Sequence, residues 1–252
     1  MKNIEKKLNN LITLTKALRA EHGCPWDKKQ TFLSLRTYII EEAYEVVDAI
    51  NLCDNKNLKE EVGDLLLQVL FIANIAEEDD IFNLEDVVAG LSDKLIRRHP
   101  HVFGDKKVKN EEEALEVWDN QKFLENPGKT KKYSKSFPSL KRAVEISKIF
   151  SKSGLDFPSV KNVIEKLESE ILEFREANQE NSRENIEEEL GDILFTVANL
   201  CRLMKVDPEI ALNQSTDKFN QRAEIFISIK SNYLNDEDAW KEAKLTLKKG
   251  IK

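Results

Sequence analysis

Apolar residues recur three and four positions apart along almost the whole chain, the period of an amphipathic helix. Between about residues 4 and 20, Ile4, Leu8, Leu11, Ile12, Thr15 and Leu18 fall on one face. The segment Glu21-His22-Gly23-Cys24-Pro25-Trp26-Asp27 breaks this stripe. Thr31 is placed to cap a helix running to about 53, Asn57 a second to about 78, and Asn83 a third ending at Arg97-Arg98-His99, where Pro100 stops it. Another helix is predicted over about 110–125. Helical spacing resumes at about 138–152, 158–180, 184–204, 207–231 and 236–249. No convincing strand interrupts the pattern. Two runs, Leu65 to Ile72 and Ile193 to Ala198, are apolar nearly all round and read as buried helices opened by Asp64 and Asp192.

Composition reinforces this all-α reading. The chain has 252 residues, 40% hydrophobic and 34% charged, with only 8 Gly and 6 Pro. Average usage would give roughly 30 Gly plus Pro, too many turn-formers to be missing from a sandwich or barrel. A net charge of −7 argues against a partner such as a nucleic acid polymer, which calls for a basic face. Cys24, Cys53 and Cys201 form no CxxC pair and read as thiols in a reducing compartment. With no signal-peptide pattern at the start and no run of eighteen apolar residues, the expectation is a cytoplasmic protein without a membrane partner.

An internal repeat organises the chain. Asn57-Leu-Lys-Glu-Glu-Val-Gly-Asp64 aligns with Asn185-Ile-Glu-Glu-Glu-Leu-Gly-Asp192 at an offset of 128, which also places Glu42 on Glu170 and Glu45 on Glu173. Asp93-Lys94 with Arg98 matches Asp217-Lys218 with Arg222 at 124, and Trp118 with Lys122 matches Trp240 with Lys244 at 122. Landmarks in one order with so little drift describe two copies of one helical module, unlike a solenoid of short repeats. The predicted organisation is a first helical domain at 1–125, a polar, basic linker at 126–137, and a second helical domain at 138–252. Gly128-Lys129-Thr130 inside that linker imitates the end of a P-loop, but residue 123 is Phe where the motif needs Gly, and no strand precedes it.

The repeated segments carry carboxylates at helical spacing. Glu41, Glu42 and Glu45 share one helix face and Glu61 and Asp64 the next; Glu170, Glu173, Glu189 and Asp192 repeat the arrangement. A single Glu-Glu-x-x-Glu is most simply a solvated helix face. An ExxD pair entering an apolar helix twice is harder to dismiss, because a buried carboxylate needs a cation or a proton. Oxygen ligands alone suit a hard divalent cation such as Mg²⁺. His22, His99 and His101 lie outside these helices, and the Glu-x-x-His of a di-iron bundle is absent. Lys94 with Arg98, and Lys218 with Arg222, would face a polyphosphate bridging metal and cations, or pair with Asp93 and Asp217. Trp118 and Trp240 either stack on a base or pack.

With these residues in view the chain resembles the MazG family, tandem-domain nucleoside triphosphate pyrophosphohydrolases of the all-α NTP pyrophosphatase superfamily. The likeness rests on Glu-Glu-x-x-Glu followed by Glu-x-x-Asp, on Gly-Cys-Pro-Trp-Asp at 23–27 and on Arg-Arg-His-Pro-His-Val-Phe-Gly at 97–104, and it spans the chain. It implies Mg²⁺-dependent cleavage, with Mn²⁺ as a substitute, of NTPs or dNTPs to monophosphate and pyrophosphate, by a homodimer whose helices complete each other's four-helix-type bundles. It further implies that Glu170, Glu173, Glu189 and Asp192 hold the metal and that Lys166, Lys218, Phe219, Arg222, Trp240 and Lys244 contact the nucleotide. In the first copy the metal set is Glu41, Glu42, Glu45, Glu61 and Asp64, and the nucleotide contacts are Lys94, Arg98, Trp118 and Lys122. The copies differ where Ser169 stands for Glu41 and Lys166 for Tyr38. The second copy is favoured as the active one. The alternatives are a narrower house-cleaning enzyme for a deoxy or damaged nucleotide, and a non-catalytic helical scaffold that binds cations.

Overall fold

The computed structural model describes residues 2–125 and 134–250. Most of the expected linker, residues 126–133 with the Gly128-Lys129-Thr130 string, lies outside the described residues. The chain divides into two compact units, Met1–Pro127 and Gly128–Lys252. Every regular element among the described residues is helical.

The first unit comprises α1 (Lys2–Arg19), α2 (Pro25–Lys28), α3 (Phe32–Asn51), α4 (Asn55–Glu78), α5 (Leu84–Arg98), α6 (Pro100–Phe103) and α7 (Glu111–Leu124). α3 and α4 form its central hairpin, with α1 packed on α4 and α5 bridging α4 and α7. Thr31 caps α3 as expected, in a capping box with Ser34, and Asn83 caps α5 in another with Asp86. Asn57 is not the cap of α4. Asp54 is, its carboxylate accepting from the backbone N–H groups of Lys56 and Asn57 at 3.0 Å, so the helix starts at Asn55. Gly23 is demanded by a close approach: a Cβ there would sit 2.3 Å from the Leu18 carbonyl oxygen. The core is Leu35, Phe71 and Ile75, backed by Tyr38, Ile39, Leu67 and Ile72. At its edge the buried Asn74 amide donates to Thr15 Oγ1 at 3.2 Å, and Arg19 clasps Glu78 with two bonds of 2.8 and 2.6 Å while donating to the Asp27 carbonyl.

The second unit comprises α8 (Ser139–Ser151), α9 (Val160–Glu180), α10 (Arg183–Leu203), α11 (Pro208–Ile229), a 3₁₀ turn at Lys230–Asn232, and α12 (Asp236–Gly250). α9 and α10 repeat the α3–α4 hairpin, α8 packs on α10, and α11 pairs with α12. The repeat extends to the turns. Cys53 and Asn181 both take left-handed φ, 54° and 55°, just past the first hairpin helix, and Asp80 and Lys205 do so past the second, at 54° and 57°. Each is followed by a backbone bond returning to the last helical turn: Asp54 to Ala49, Ser182 to Ala177, Ile81 to Ala76 and Val206 to Cys201. This is the Schellman way of ending a helix, achieved here without glycine.

The apolar runs opened by Asp64 and Asp192 are only partly buried. Val62, Leu66 and Val69 on α4, and Leu190, Leu194 and Phe195 on α10, stay 40–56% exposed while the opposite faces are covered. Asp64 is half-buried and Asp192 exposed, which corrects the expectation that both sit in the core. A helix apolar on all sides needs cover on all sides, and the neighbours within one unit supply only one.

Candidate active site

In each unit the central hairpin gathers three carboxylates. Glu42 and Glu45 on α3 meet Glu61 on α4, and Glu170 and Glu173 on α9 meet Glu189 on α10; within each trio the ligand oxygens lie within 4.8 Å of one another. Positions three and four apart put the first two on one helix face, and the hairpin brings the third across. Asp64 and Asp192 stand one turn beyond Glu61 and Glu189, close enough for their charge to be felt there and outside the tight trios. Glu41 is exposed and acts on the first trio only through its charge on Glu42.

The electrostatics of the two trios differ. In the first, Glu42 and Glu61 both hold their protons more tightly than an ordinary glutamate. Loss of solvation is the leading cause for each, followed by repulsion from Asp64 and Glu45 at Glu42, and from Glu45 at Glu61. Gln68 donates to Glu42 Oε1 at 3.3 Å; its own buried oxygen has no partner. Among the described residues no cation is paired with this trio, and Tyr38, where the second copy has Lys166, packs on the core and meets Trp26 edge-on at 5.8 Å.

The second trio contains its own counter-charge. Lys166 Nζ lies 2.8 Å from Glu170, which is only 3% exposed, and 3.9 Å from Glu173. The bond to Glu170 leads in holding the Lys166 proton above its usual range. Ser169 is more than a missing carboxylate: its hydroxyl donates to Glu173 Oε1 at 2.6 Å and fixes that side chain. Glu189 binds its proton more tightly than usual, first through loss of solvation and then through Glu173, Glu170 and Asp192. Its Oε2 is buried with no hydrogen-bond partner. A crowded set of hard oxygen donors with one buried oxygen orphaned is what a small divalent cation fits.

The cations expected opposite the carboxylates are not brought to them within either unit. Arg98 is engaged elsewhere, bonding Glu125 through Nε and Nη2, with Arg97 on the same carboxylate at 3.1 Å. Its guanidinium lies 5.2 Å from the Trp118 ring centre, and Trp118 also meets His99 at 4.7 Å. Lys94 and Lys122 are half-buried and belong to neither trio. In the second unit Lys218 and Phe219 are exposed, and Arg222 keeps a buried Nε without a partner. Trp240 packs between Phe219 and Phe226 at 5.7 and 5.9 Å, with Lys244 Nζ 5.8 Å from its ring centre. The contributions of Gln68, Ser169 and Glu125 escape a search for charged pairs at helical spacing. Gln68 leaves a trace as the one polar residue amid Leu65–Ile72, and Ser169 as the position where the second copy departs from Glu41, though its bond to Glu173 does not show there.

Glu125 has a testable signature. Arg98, then Arg97, pull its proton affinity down from 4.5 to about 2. A carboxylate with a lowered native value stabilises above its unfolded value and loses that contribution as pH falls through the native one. Glu125→Gln should therefore melt below the parent near neutral pH, and the gap should close as pH falls from about 4.5 to about 2. Thermal melts across that range check it; a gap independent of pH would contradict the ion pair.

Two helical units, each bringing three carboxylates together on a central hairpin, define a duplicated all-α protein with acidic clusters that could hold a divalent cation. The MazG nucleotide pyrophosphohydrolase domain matches it twice, at residues 30–103 and 159–226. The Thermotoga maritima protein called nucleoside triphosphate pyrophosphohydrolase/pyrophosphatase MazG is 41% identical over 222 residues, covering 88% of this chain and 86% of that one. The Escherichia coli K12 nucleoside triphosphate pyrophosphohydrolase is 40% identical over 226 residues, covering 86% and 85%. A crystal structure of a mazG-related protein from Thermotoga maritima aligns with TM-score 0.40 and 32% identity, over 46% of this chain and 97% of that one. The chain belongs to the MazG nucleotide pyrophosphohydrolase family.

Proposed function

We propose that the protein hydrolyses nucleoside triphosphates, ribo- or deoxy-, to monophosphate and pyrophosphate, as a cytoplasmic homodimer dependent on Mg²⁺, with Mn²⁺ as a substitute. The observation that carries this reading is the second trio with its orphaned Glu189 oxygen, in a chain whose relatives bear that activity in their names. Glu170, Glu173, Glu189 and Asp192 would hold the cation. When bound, it would polarise the phosphates and ease deprotonation of the attacking water.

This chain's own side chains do the rest. One carboxylate of the set would orient or deprotonate the attacking water while the others hold the cation. Ser169 keeps Glu173 in one orientation. Lys166, released from Glu170, donates to a phosphate oxygen, and Lys218 and Arg222 offset charge on the same phosphates. Because α11 does not present those cations to the trio of its own unit, a second copy of the chain supplies them in this reading. The apolar faces left open on α4 and α10 would be the seam. In the first copy Glu41, Glu42, Glu45, Glu61 and Asp64 form a second cation site, with Arg98 held away by Glu125.

The test is pyrophosphate release across the NTPs and dNTPs with Mg²⁺, on the parent and two variants. Parent turnover is expected; metal binding without release from any nucleotide would leave a scaffold instead. Lys166→Ala should raise KM about tenfold with a smaller loss in kcat, a charge-assisted bond to phosphate being worth about 1.5–3 kcal/mol before screening. Ser169→Glu should lower the Mg²⁺ concentration for half-maximal rate, the added charge outweighing the lost bond to Glu173.

A further inference from the structure

Arg98 and Arg222 stand at equivalent places in the two copies, each four residues past a lysine, and only one of them is tied down. Arg98 grips Glu125 through one edge of its guanidinium. Nε donates to both carboxylate oxygens, at 3.2 and 3.1 Å, and Nη2 donates to Oε2. Arg97 adds bonds of 3.3 and 3.1 Å to Oε1. In the second copy the same nitrogen, Arg222 Nε, is buried with no hydrogen-bond partner.

The repeat locates the cause. Trp118 and Lys122 match Trp240 and Lys244 at an offset of 122, and the same offset carries Glu125 to Leu247. At the offset of 124 that relates the two arginines, Arg97 falls on Gln221. The packing order is shared, with α5 against α7 in one unit and α11 against α12 in the other. The first copy therefore has a carboxylate and a second guanidinium where the second copy has a leucine and an amide.

This clasp bears on phosphate binding. Carboxylate and phosphate take a guanidinium by the same pair of parallel N–H bonds, so they compete for one edge of it. The Arg98 and Glu125 side chains are only 14% and 19% exposed, which sets the pair apart from loose surface ion pairs. Removing the arginines from Glu125 would leave a largely covered carboxylate unpaired, and that cost falls on whatever ligand draws them away. Arg222, with its orphaned Nε, starts from the opposite condition: it lacks a bond that an arriving oxyanion can supply.

We propose that Glu125 is an internal competitor of the phosphate ligand, a latch that withholds Arg98 and Arg97 from the first copy's site and lowers that site's affinity for polyphosphate. The proposal rests on the activity proposed above, in which these cations meet the phosphates. Glu125 acts through the arginines and is a positioning residue. Calorimetric titration of the full-length protein with Mg²⁺ and α,β-methylene-ATP, whose α–β bridge does not hydrolyse, reads binding without turnover. With Glu189→Gln in the background to disarm the second site, Glu125→Gln is expected to raise the analogue's affinity about tenfold. Adding Arg98→Ala should abolish that gain. An affinity unchanged or lowered by Glu125→Gln overturns the latch, as does a gain that survives without Arg98. The converse experiment installs the latch in the second copy. With Glu61→Gln disarming the first site, Leu247→Glu should weaken the analogue about tenfold, while Leu247→Gln, polar but uncharged, should leave it at the parent value. No weakening, or equal weakening by both, overturns the proposal, and this pair decides alone should Glu125→Gln fail to fold. Pyrophosphate release from ATP is measured alongside. The expected affinities with no release from any variant or the parent support the latch and count against the activity alone. Release with unchanged affinities overturns the latch and leaves the activity standing.

Discussion

Glu189→Gln should lower pyrophosphate release by roughly 10²-fold or more, the scale on which single charge-stabilising groups act in closed sites, and at the same time raise the melting temperature of the metal-free protein. Both effects have one origin. Desolvation first, and then the charges of Glu173, Glu170, Asp192 and Glu188, favour the protonated form of Glu189. A group whose native proton affinity is raised stabilises only below its unfolded value, about 4.3 for glutamate. That contribution is lost as pH rises through the native value. Where it is charged, Glu189 is therefore a burden on the fold, one that a cation bound at the proposed site would relieve. The neutral isostere removes repulsion and function together. Calorimetry with chelator, paired with turnover in Mg²⁺, gives the answer. A variant that melts lower without metal, or that turns over like the parent, would remove Glu189 from the site.

The largest effect on folding is expected at Phe71. Truncation to Ala should destabilise the first unit by about 3–5 kcal/mol, the range for an aromatic removed from a close-packed core. Its neighbours Leu35 and Ile75 are at most 5% exposed and sit on rigid hairpin helices that cannot collapse into the space. Phe71→Leu should lose less, about 1.5 kcal/mol, because more of the volume is kept. Denaturant melts followed by circular dichroism check both, and limited proteolysis should show cleavage confined to residues 1–127. Pyrophosphate release persisting while the first unit is proteolysed would locate the activity in the second.

The helices were legible because every stripe has a period near 3.6 and most have an Asx, Ser or Thr at the start. Among the long helices only the start of α4 was misplaced, since Asp54 and Asn57 are both good caps and spacing cannot rank them; the one-turn helices α2 and α6, each opened by a proline, were not foreseen because four residues carry no period. The carboxylate trios were legible because the repeat shows them twice, separating them from the many glutamates of solvated faces. Two things were hidden. Arg98 meets Glu125 across 27 residues and Arg202 meets Asp156 across 46, separations that periodicity does not connect. The exposure of Asp192 was hidden because an all-round apolar helix signals how much cover it wants, and says nothing about which chain provides it.

The bond between Lys166 and Glu170 makes the second site a balance rather than a socket. While Lys166 is docked, the trio is already partly neutralised, so a divalent ion arriving alone has to send that ammonium into water. A triphosphate arriving with it gives the ammonium somewhere to go. Each ligand should then raise the affinity of the other by the same factor, as linkage between two sites requires. The first copy, with Tyr38 in place of the lysine, has no such reciprocity to offer. At the proposed site such an arrangement would blunt the response to free cation and favour the cation–nucleotide pair.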